Sequence, residues 1–251
     1  MEYVVAAVAG LLVGSFLNVV IHRLPLGESL VRPRSRCPQC GAQLRVIDNI
    51  PVASWLALRG RCHACGCRIS PRYPFVEAIT AASYCAVIAV SGFDQDALLG
   101  LAFVTMLIPV ALIDLDHRII PNRILLPAAI AAPVILAVTD PDALPAHLIA
   151  GAAAGGFFLL AALVYPRGMG MGDVKLAGVM GLYLGRNVAP AILFALIAGT
   201  IVGIAIIARK GSVQGRKTAV PFGPFLAAGG LVGLLAGNEI VNWYLDHFAG
   251  G

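Results

Sequence analysis

Hydrophobic residues run through this chain in long blocks separated by short polar connections. Eight blocks stand out, at about 3–21, 74–91, 98–115, 123–139, 147–165, 174–186, 190–208 and 220–237. A helical apolar stretch of about 20 residues crosses a bilayer. The pattern therefore predicts an all-α polytopic membrane protein with about eight transmembrane helices. The sixth block is short and glycine-rich, and a span of about 13 residues has to be tilted, broken or only partly inserted. A single long polar segment, residues 22–73, interrupts the series between the first two blocks. Its Asp48-Asn49-Ile50-Pro51 and Ser70-Pro71-Arg72-Tyr73-Pro74 stretches read as turn and helix-start punctuation.

Composition supports the pattern. Of 251 residues, 59% are hydrophobic and only 12% are charged, against about 25% charged in an ordinary soluble domain. Only Glu2 precedes the first block, which has no basic leader region and runs straight into an arginine-rich segment. This is the reverse of a cleaved signal peptide, so the block is expected to persist as the first span.

Charge predicts the orientation, because short cytoplasmic loops collect Lys and Arg. Residues 22–73 hold nine arginines, and with eight spans Arg118, Arg123, Arg167, Lys175, Arg209, Lys210, Arg216 and Lys217 fall on the same side. Only Arg186 falls opposite, among Glu2, Asp94, Asp96, Asp140, Asp142, Glu239 and Asp246. Both termini are then outside and residues 22–73 cytoplasmic. The net charge of +5 follows from topology, and no nucleic-acid partner is needed to explain it.

The polar segment carries Cys37-Pro-Gln-Cys40 and, 21 residues on, Cys62-His-Ala-Cys65. Two such knuckles close four thiolates into a tetrahedron around zinc, and Gly41 and Gly66 suit the tight turns. Disulfides are rare in the cytoplasm, which weakens the competing reading of two bridges. With Cys37, Cys40, Cys62 and Cys65 as ligands no position is open, so the metal would be structural. His63 and Cys67 read as bystanders able to replace a ligand, and Cys85 as packing within a span. Glu77 is an acid one turn into the second span, read first as a complement to the helix dipole and second as functional.

Two further acids sit where apolar blocks meet polar loops: Asp114 in Ile113-Asp114-Leu115-Asp116-His117-Arg118, and Asp173 in Gly170-Met171-Gly172-Asp173. Carboxylates are costly beside hydrocarbon, and they mark function there. Asp114 and Asp116 point about 200° apart on a helix, and Asp116, next to His117 and Arg118, looks the more solvated. Pro121 breaks the helix, and Asn122 is placed to cap the next one. Gly168, Gly170 and Gly172 let the backbone approach another element closely, and Lys175 is placed to pair with Asp173 or a lipid headgroup. Asp114 and Asp173 fall on the same membrane face. Two neighbouring carboxylates do not readily both ionise, so they would share a proton. One would activate water while the other polarises a carbonyl. The competing reading makes both acids cap and interface residues.

Taken together, these motifs resemble the type IV prepilin peptidases, bifunctional leader peptidases and N-methyltransferases. The resemblance runs through Gly14-Ser15-Phe16-Leu17-Asn18-Val19-Val20 with Arg23, both cysteine knuckles, Asp48-Asn49-Ile50-Pro51, and Arg72-Tyr73-Pro74 through Glu77. It continues through Asp114-Leu115-Asp116-His117-Arg118-Ile119-Ile120-Pro121-Asn122 and Gly170-Met171-Gly172-Asp173, the last a G-x-G-D aspartic membrane protease signature. It implies Asp114 and Asp173 as the catalytic pair, with Gly170 and Gly172 supporting. It also implies cleavage of the basic leader of prepilins or pseudopilins at the cytoplasmic face of the bacterial inner membrane. The new N-terminus would then be methylated from S-adenosylmethionine. Membrane lipids are the remaining partners expected. No soluble-type cofactor loop is present, so no residue is assigned to the methyl donor, and Arg32, Arg34 and Arg36 read first as topology determinants and second as groups that attract the cofactor carboxylate or lipid headgroups. The expected division is 1–91, two spans with the tetracysteine loop, and 92–251, six spans with the peptidase motifs. A peptidase lacking the methyl transfer, and a transporter using the two acids as an ion site, are the alternatives.

Overall fold

The computed structural model describes residues 1–95, 97–165, 169–210 and 220–249. Asp96, Arg167, Gly168, Arg216 and Lys217 from the charge and glycine readings lie outside these residues, as does the Lys210 side chain. Nine α-helices are described. They are α1 (Glu2–Arg23), the short α2 (Ala53–Ala57), α3 (Arg72–Ser91), α4 (Ala97–His117), α5 (Asn122–Thr139), α6 (Leu144–Val164), α7 (Met171–Leu184), α8 (Val188–Lys210) and α9 (Gly223–Tyr244). Among the described residues, seven helical stretches are long and apolar enough to cross a membrane. One of them, the 39-residue Met171–Arg209, contains two helices, α7 and α8, separated by a tight turn at Gly185–Asn187. All eight apolar blocks are thus helical, and the protein is an all-α polytopic membrane protein. The last helix extends to Tyr244, beyond the block that announced it.

The helices stop where backbone chemistry requires it. Gly92, at φ 75°, ends α3, and Gly185, at φ 54°, ends α7; only glycine takes that conformation without cost. Proline opens α6 and α9, where its missing N–H costs nothing. Pro109 in α4, and Pro127 and Pro133 in α5, lie inside helices, as membrane helices tolerate.

The chain divides into two compact units, Met1–Phe93 and Asp94–Gly251. In the first, α1 packs along α3 through Gly10 and Gly14, a small-xxx-small pair of the kind that lets membrane helices approach closely. A Cβ on Gly14 would stand 2.7 Å from the Glu77 Cα, and one on Gly10 would stand 2.5 Å from the Ala81 Cα. In the second unit α7 is the hub, with Leu176, Ala177 and Met180 fully buried. Its 14 residues reach only about 21 Å, short of the roughly 30 Å hydrocarbon core. Surrounding helices cover it instead. A Cβ on Gly181 would lie 2.6 Å from the Gly151 Cα of α6. Phe103 of α4 stacks on Tyr183 of α7 at 5.1 Å, and the Tyr183 hydroxyl donates to the Ala128 carbonyl of α5 at 3.0 Å. Phe157, Leu160, Val164, Ile197 and Ile204 are exposed, which suits lipid-facing positions.

Candidate active site and metal centre

The two cysteine knuckles fold alike. In the first, Cys37 N–H donates to the Ala42 carbonyl at 2.9 Å and Gly41 N–H to the Cys37 carbonyl at 2.9 Å. In the second, Cys62 N–H donates to the Cys67 carbonyl at 2.8 Å and Gly66 N–H to the Cys62 carbonyl at 2.9 Å. Gly41 and Gly66 adopt φ 71° and 70°, the turn conformation their positions implied. One antiparallel bridge closes each knuckle, Arg36 with Gln43 and Arg61 with Arg68.

The knuckles bring Cys37, Cys40, Cys62 and Cys65 together with all four sulfurs within 4.8 Å of one another. A tetrahedron with Zn–S of about 2.3 Å has edges of about 3.8 Å, so the donor set fits such an ion. The amides of Cys40 and Gln39 pull the Cys37 thiol down to about 6. At Cys40 the Ala42 amide pulls the same way, but lost hydration and the neighbouring sulfurs outweigh it and push the thiol up to about 11. Four crowded sulfurs resist full deprotonation unless a cation compensates, which is what a metal supplies. Cys67 is closer to this cluster than a bystander, its sulfur 3.5 Å from that of Cys37. His63 points elsewhere, its Nδ1 2.9 Å from Asp48 Oδ2.

Asp48 does more than punctuate a turn. It accepts from the Arg45 backbone amide at 3.0 Å and takes the Arg45 guanidinium at 3.1 and 3.0 Å, which holds its carboxyl below the usual range. Glu77 is buried in the second turn of α3, where its Oε2 accepts the Val52 amide at 2.7 Å. It anchors the chain that joins the knuckles rather than answering the first-turn dipole. Val52, with φ 59°, is a β-branched residue in a conformation it seldom adopts.

In the second unit the ends of α4, α5, α7 and α9 meet. Asp114, in the last turn of α4, is 5% exposed, and its Oδ2 accepts the Gly223 amide at the start of α9 at 2.9 Å. Asp173 lies in the first turn of α7, half-buried, with its own amide donating to the Gly170 carbonyl at 3.1 Å. Gly172, one residue before Asp173, packs against Ile120, six residues beyond Asp114, so the start of α7 lies beside the segment that leaves α4. A Cβ on Gly170 would stand 3.2 Å from Asp173 Oδ2, and one on Gly172 would stand 3.0 Å from the Ile120 Cβ. Gly172 therefore lets the start of α7 close on Ile120 in the α4–α5 corner, and Gly170 leaves room for the Asp173 carboxylate. Asp116 is exposed, as the helix geometry required.

Two details differ from expectation. Asn122 makes no cap, since α5 has Pro121 at its N-cap with no side-chain bond. Its Oδ1 instead accepts Lys175 Nζ at 3.1 Å, so the lysine two residues past Asp173 ties α7 to α5. Gly223 was missed altogether. The signal available was Pro221-Phe222-Gly223-Pro224, a turn directly before the last span.

Residues 8–91 match the Bacterial Peptidase A24 N-terminal domain, and residues 101–207 match the Type IV leader peptidase family. Among curated proteins, a prepilin leader peptidase/N-methyltransferase of Stutzerimonas stutzeri is 37% identical, the match covering 96% of this chain and 93% of that protein. The protein of the same name from Pseudomonas aeruginosa is 37% identical over 96% and 92%. That of Myxococcus xanthus is 41% identical over 83% of this chain but spans only 64% of its relative. No solved structure matches the chain. With both halves matched and near full-length relatives above 30% identity, the chain belongs to the type IV leader peptidase family.

Proposed function

We propose that this protein is a membrane-embedded aspartic endopeptidase that removes the basic leader of prepilins or pseudopilins, with Asp114 and Asp173 as its catalytic pair. The observation that supports the reading is the convergence of the helix ends that carry the two acids, with Asp114 held by the Gly223 amide and Gly172 packed against Ile120. One carboxylate, ionised, takes a proton from the attacking water, and the other, protonated, donates to the scissile carbonyl. Gly170 leaves room for the Asp173 carboxylate and Gly172 lets the first turn of α7 approach Ile120. The arginine distribution supports a site at the cytoplasmic face, taken here as that of the bacterial inner membrane, where a substrate's apolar helix lies in the bilayer and its leader reaches the acids.

We further propose that the enzyme methylates the newly exposed N-terminus, as the double name of its relatives describes for them, and that Cys37, Cys40, Cys62 and Cys65 hold a structural zinc ion. S-adenosylmethionine, when bound, supplies an electrophilic methyl group to that amine. Purified enzyme, a prepilin and labelled S-adenosylmethionine test both parts by intact mass. Asp114→Asn and Asp173→Asn should each lower cleavage at least about a thousandfold, as expected when one member of a catalytic pair is removed, and should leave methylation of a pre-cleaved pilin intact. Cleavage surviving either change would refute the pair. Unmethylated product with wild-type enzyme would refute the second activity.

A further inference from the structure

The first unit contains a cavity of about 290 Å3 to which the proposed reactions assign no residue. Arg23, Arg34 and Arg45 stand around it, and Val19, Val31 and Val46 line its apolar side. Arg23 is the last residue of α1, so the cavity opens at the end of a membrane span. One Arg23 nitrogen donates to the Ser29 carbonyl at 3.0 Å, which holds the guanidinium in place. Arg45 is matched by Asp48, whereas Arg34 has no acidic partner among the described residues. Only Glu28 and Asp48 are acidic between residues 22 and 73, against nine arginines.

A second observation points the same way. Val31 and Val46 are 82% and 90% exposed, and Ile47, Ile50 and Leu56 are exposed with them. Large apolar side chains bared on an arginine-rich segment are costly in water and natural at a lipid interface. The segment is tethered by spans at both ends, α1 and α3, and the cavity-lining stretch that follows Arg23 directly starts at the membrane boundary.

We infer that this cavity binds the phosphate headgroup of an anionic phospholipid, with Val31, Val46 and their apolar neighbours resting on the acyl boundary. Guanidinium groups present paired N–H donors suited to phosphate oxygens, and the valines accept the glycerol end of the chains. The methyl donor is the poorer occupant: its carboxylate suits one guanidinium, but its sulfonium and ammonium leave it net positive among three arginines. The inference rests on the chain spanning a membrane, and it stands or falls independently of catalysis.

Native mass spectrometry of the full chain released from detergent, with dioleoylphosphatidylglycerol or dioleoylphosphatidylcholine supplied, reads retained lipid directly. Hydrogen exchange of residues 26–50 in nanodiscs of each lipid reports the place. Wild type should retain phosphatidylglycerol about tenfold better and show slower exchange there. Arg34→Gln should reduce that retention about fivefold, the worth of one basic residue at an anionic surface, Arg34→Lys should keep most of it, and Val31→Asp should raise exchange in this segment. Equal retention by wild type and Arg34→Gln would overturn the inference. Displacement by glycerol phosphate as effective as by lipid would overturn its apolar half. Loss of S-adenosylmethionine binding in Arg34→Gln with lipid retention unchanged would assign the cavity to the cofactor instead.

Discussion

At the scale of single residues, a glycine amide and a carboxylate define the proposed site of the larger unit. Gly223 N–H points at Asp114, and its missing side chain matters as much as its donor, because a Cβ there would stand 2.7 Å from Asp114 Oδ2. Gly223→Ala should therefore displace the carboxylate and lower prepilin cleavage about a hundredfold, the penalty of a misplaced catalytic group, with thermal unfolding little changed. Asp48 offers a pH prediction. Its carboxyl is depressed by the Arg45 guanidinium, so its contribution to folding is present above the unfolded aspartate value and is lost as pH falls through the lower folded one. Amide exchange around residues 45–50 should hold steady near neutrality and accelerate only in that acid window, and Asp48→Asn should abolish the step. Asp114 and Asp173 stood out in the chain because carboxylates beside hydrocarbon are rare. Gly223 did not, since nothing about a glycine before a span distinguishes a donor from a helix start.

Helices, as elements, were the most legible part of the chain. Each apolar block became a helix because lipid leaves the backbone no partner but itself. Lengths were less legible: α7 stops at Leu184 and α9 continues to Tyr244, since capping at Gly185 and burial decide where a helix ends. Close pairing of α1 with α3 depends on Gly10 and Gly14, a spacing that does not by itself name the partner helix. Gly14→Leu should force the two helices apart and destabilise the first unit by about 1–3 kcal/mol or more, the cost of overpacking. A lowered unfolding temperature would show it, and wild-type stability would refute the close contact. The knuckles were readable because their turns are local: Cys-x-x-Cys-Gly specifies the loop, the positive φ and the facing sulfurs within a few residues.

For the molecule as a whole, metal removal separates what lipid holds from what sulfur holds. The eight long helices draw their stability from burial in the bilayer and against one another, whereas the knuckles have two β-bridges and little core. Stripping metal with a strong chelator should release about one zinc per chain and raise amide exchange at residues 35–45 and 60–69. Circular dichroism should fall only slightly, because those segments are mostly non-helical; no released zinc would refute the metal site. Local sequence alone determined the helical class, the apolar blocks, the paired knuckles and the acids at block ends, because hydrophobic length, turn chemistry and the cost of charge near lipid act over a few residues. Tertiary structure alone decided that Gly223 serves Asp114 from 109 positions away, that Val52 hangs on Glu77, and that Lys175 reaches Asn122 rather than Asp173. Such partners are chosen by which helix ends converge, and convergence is a property of packing that no local pattern carries.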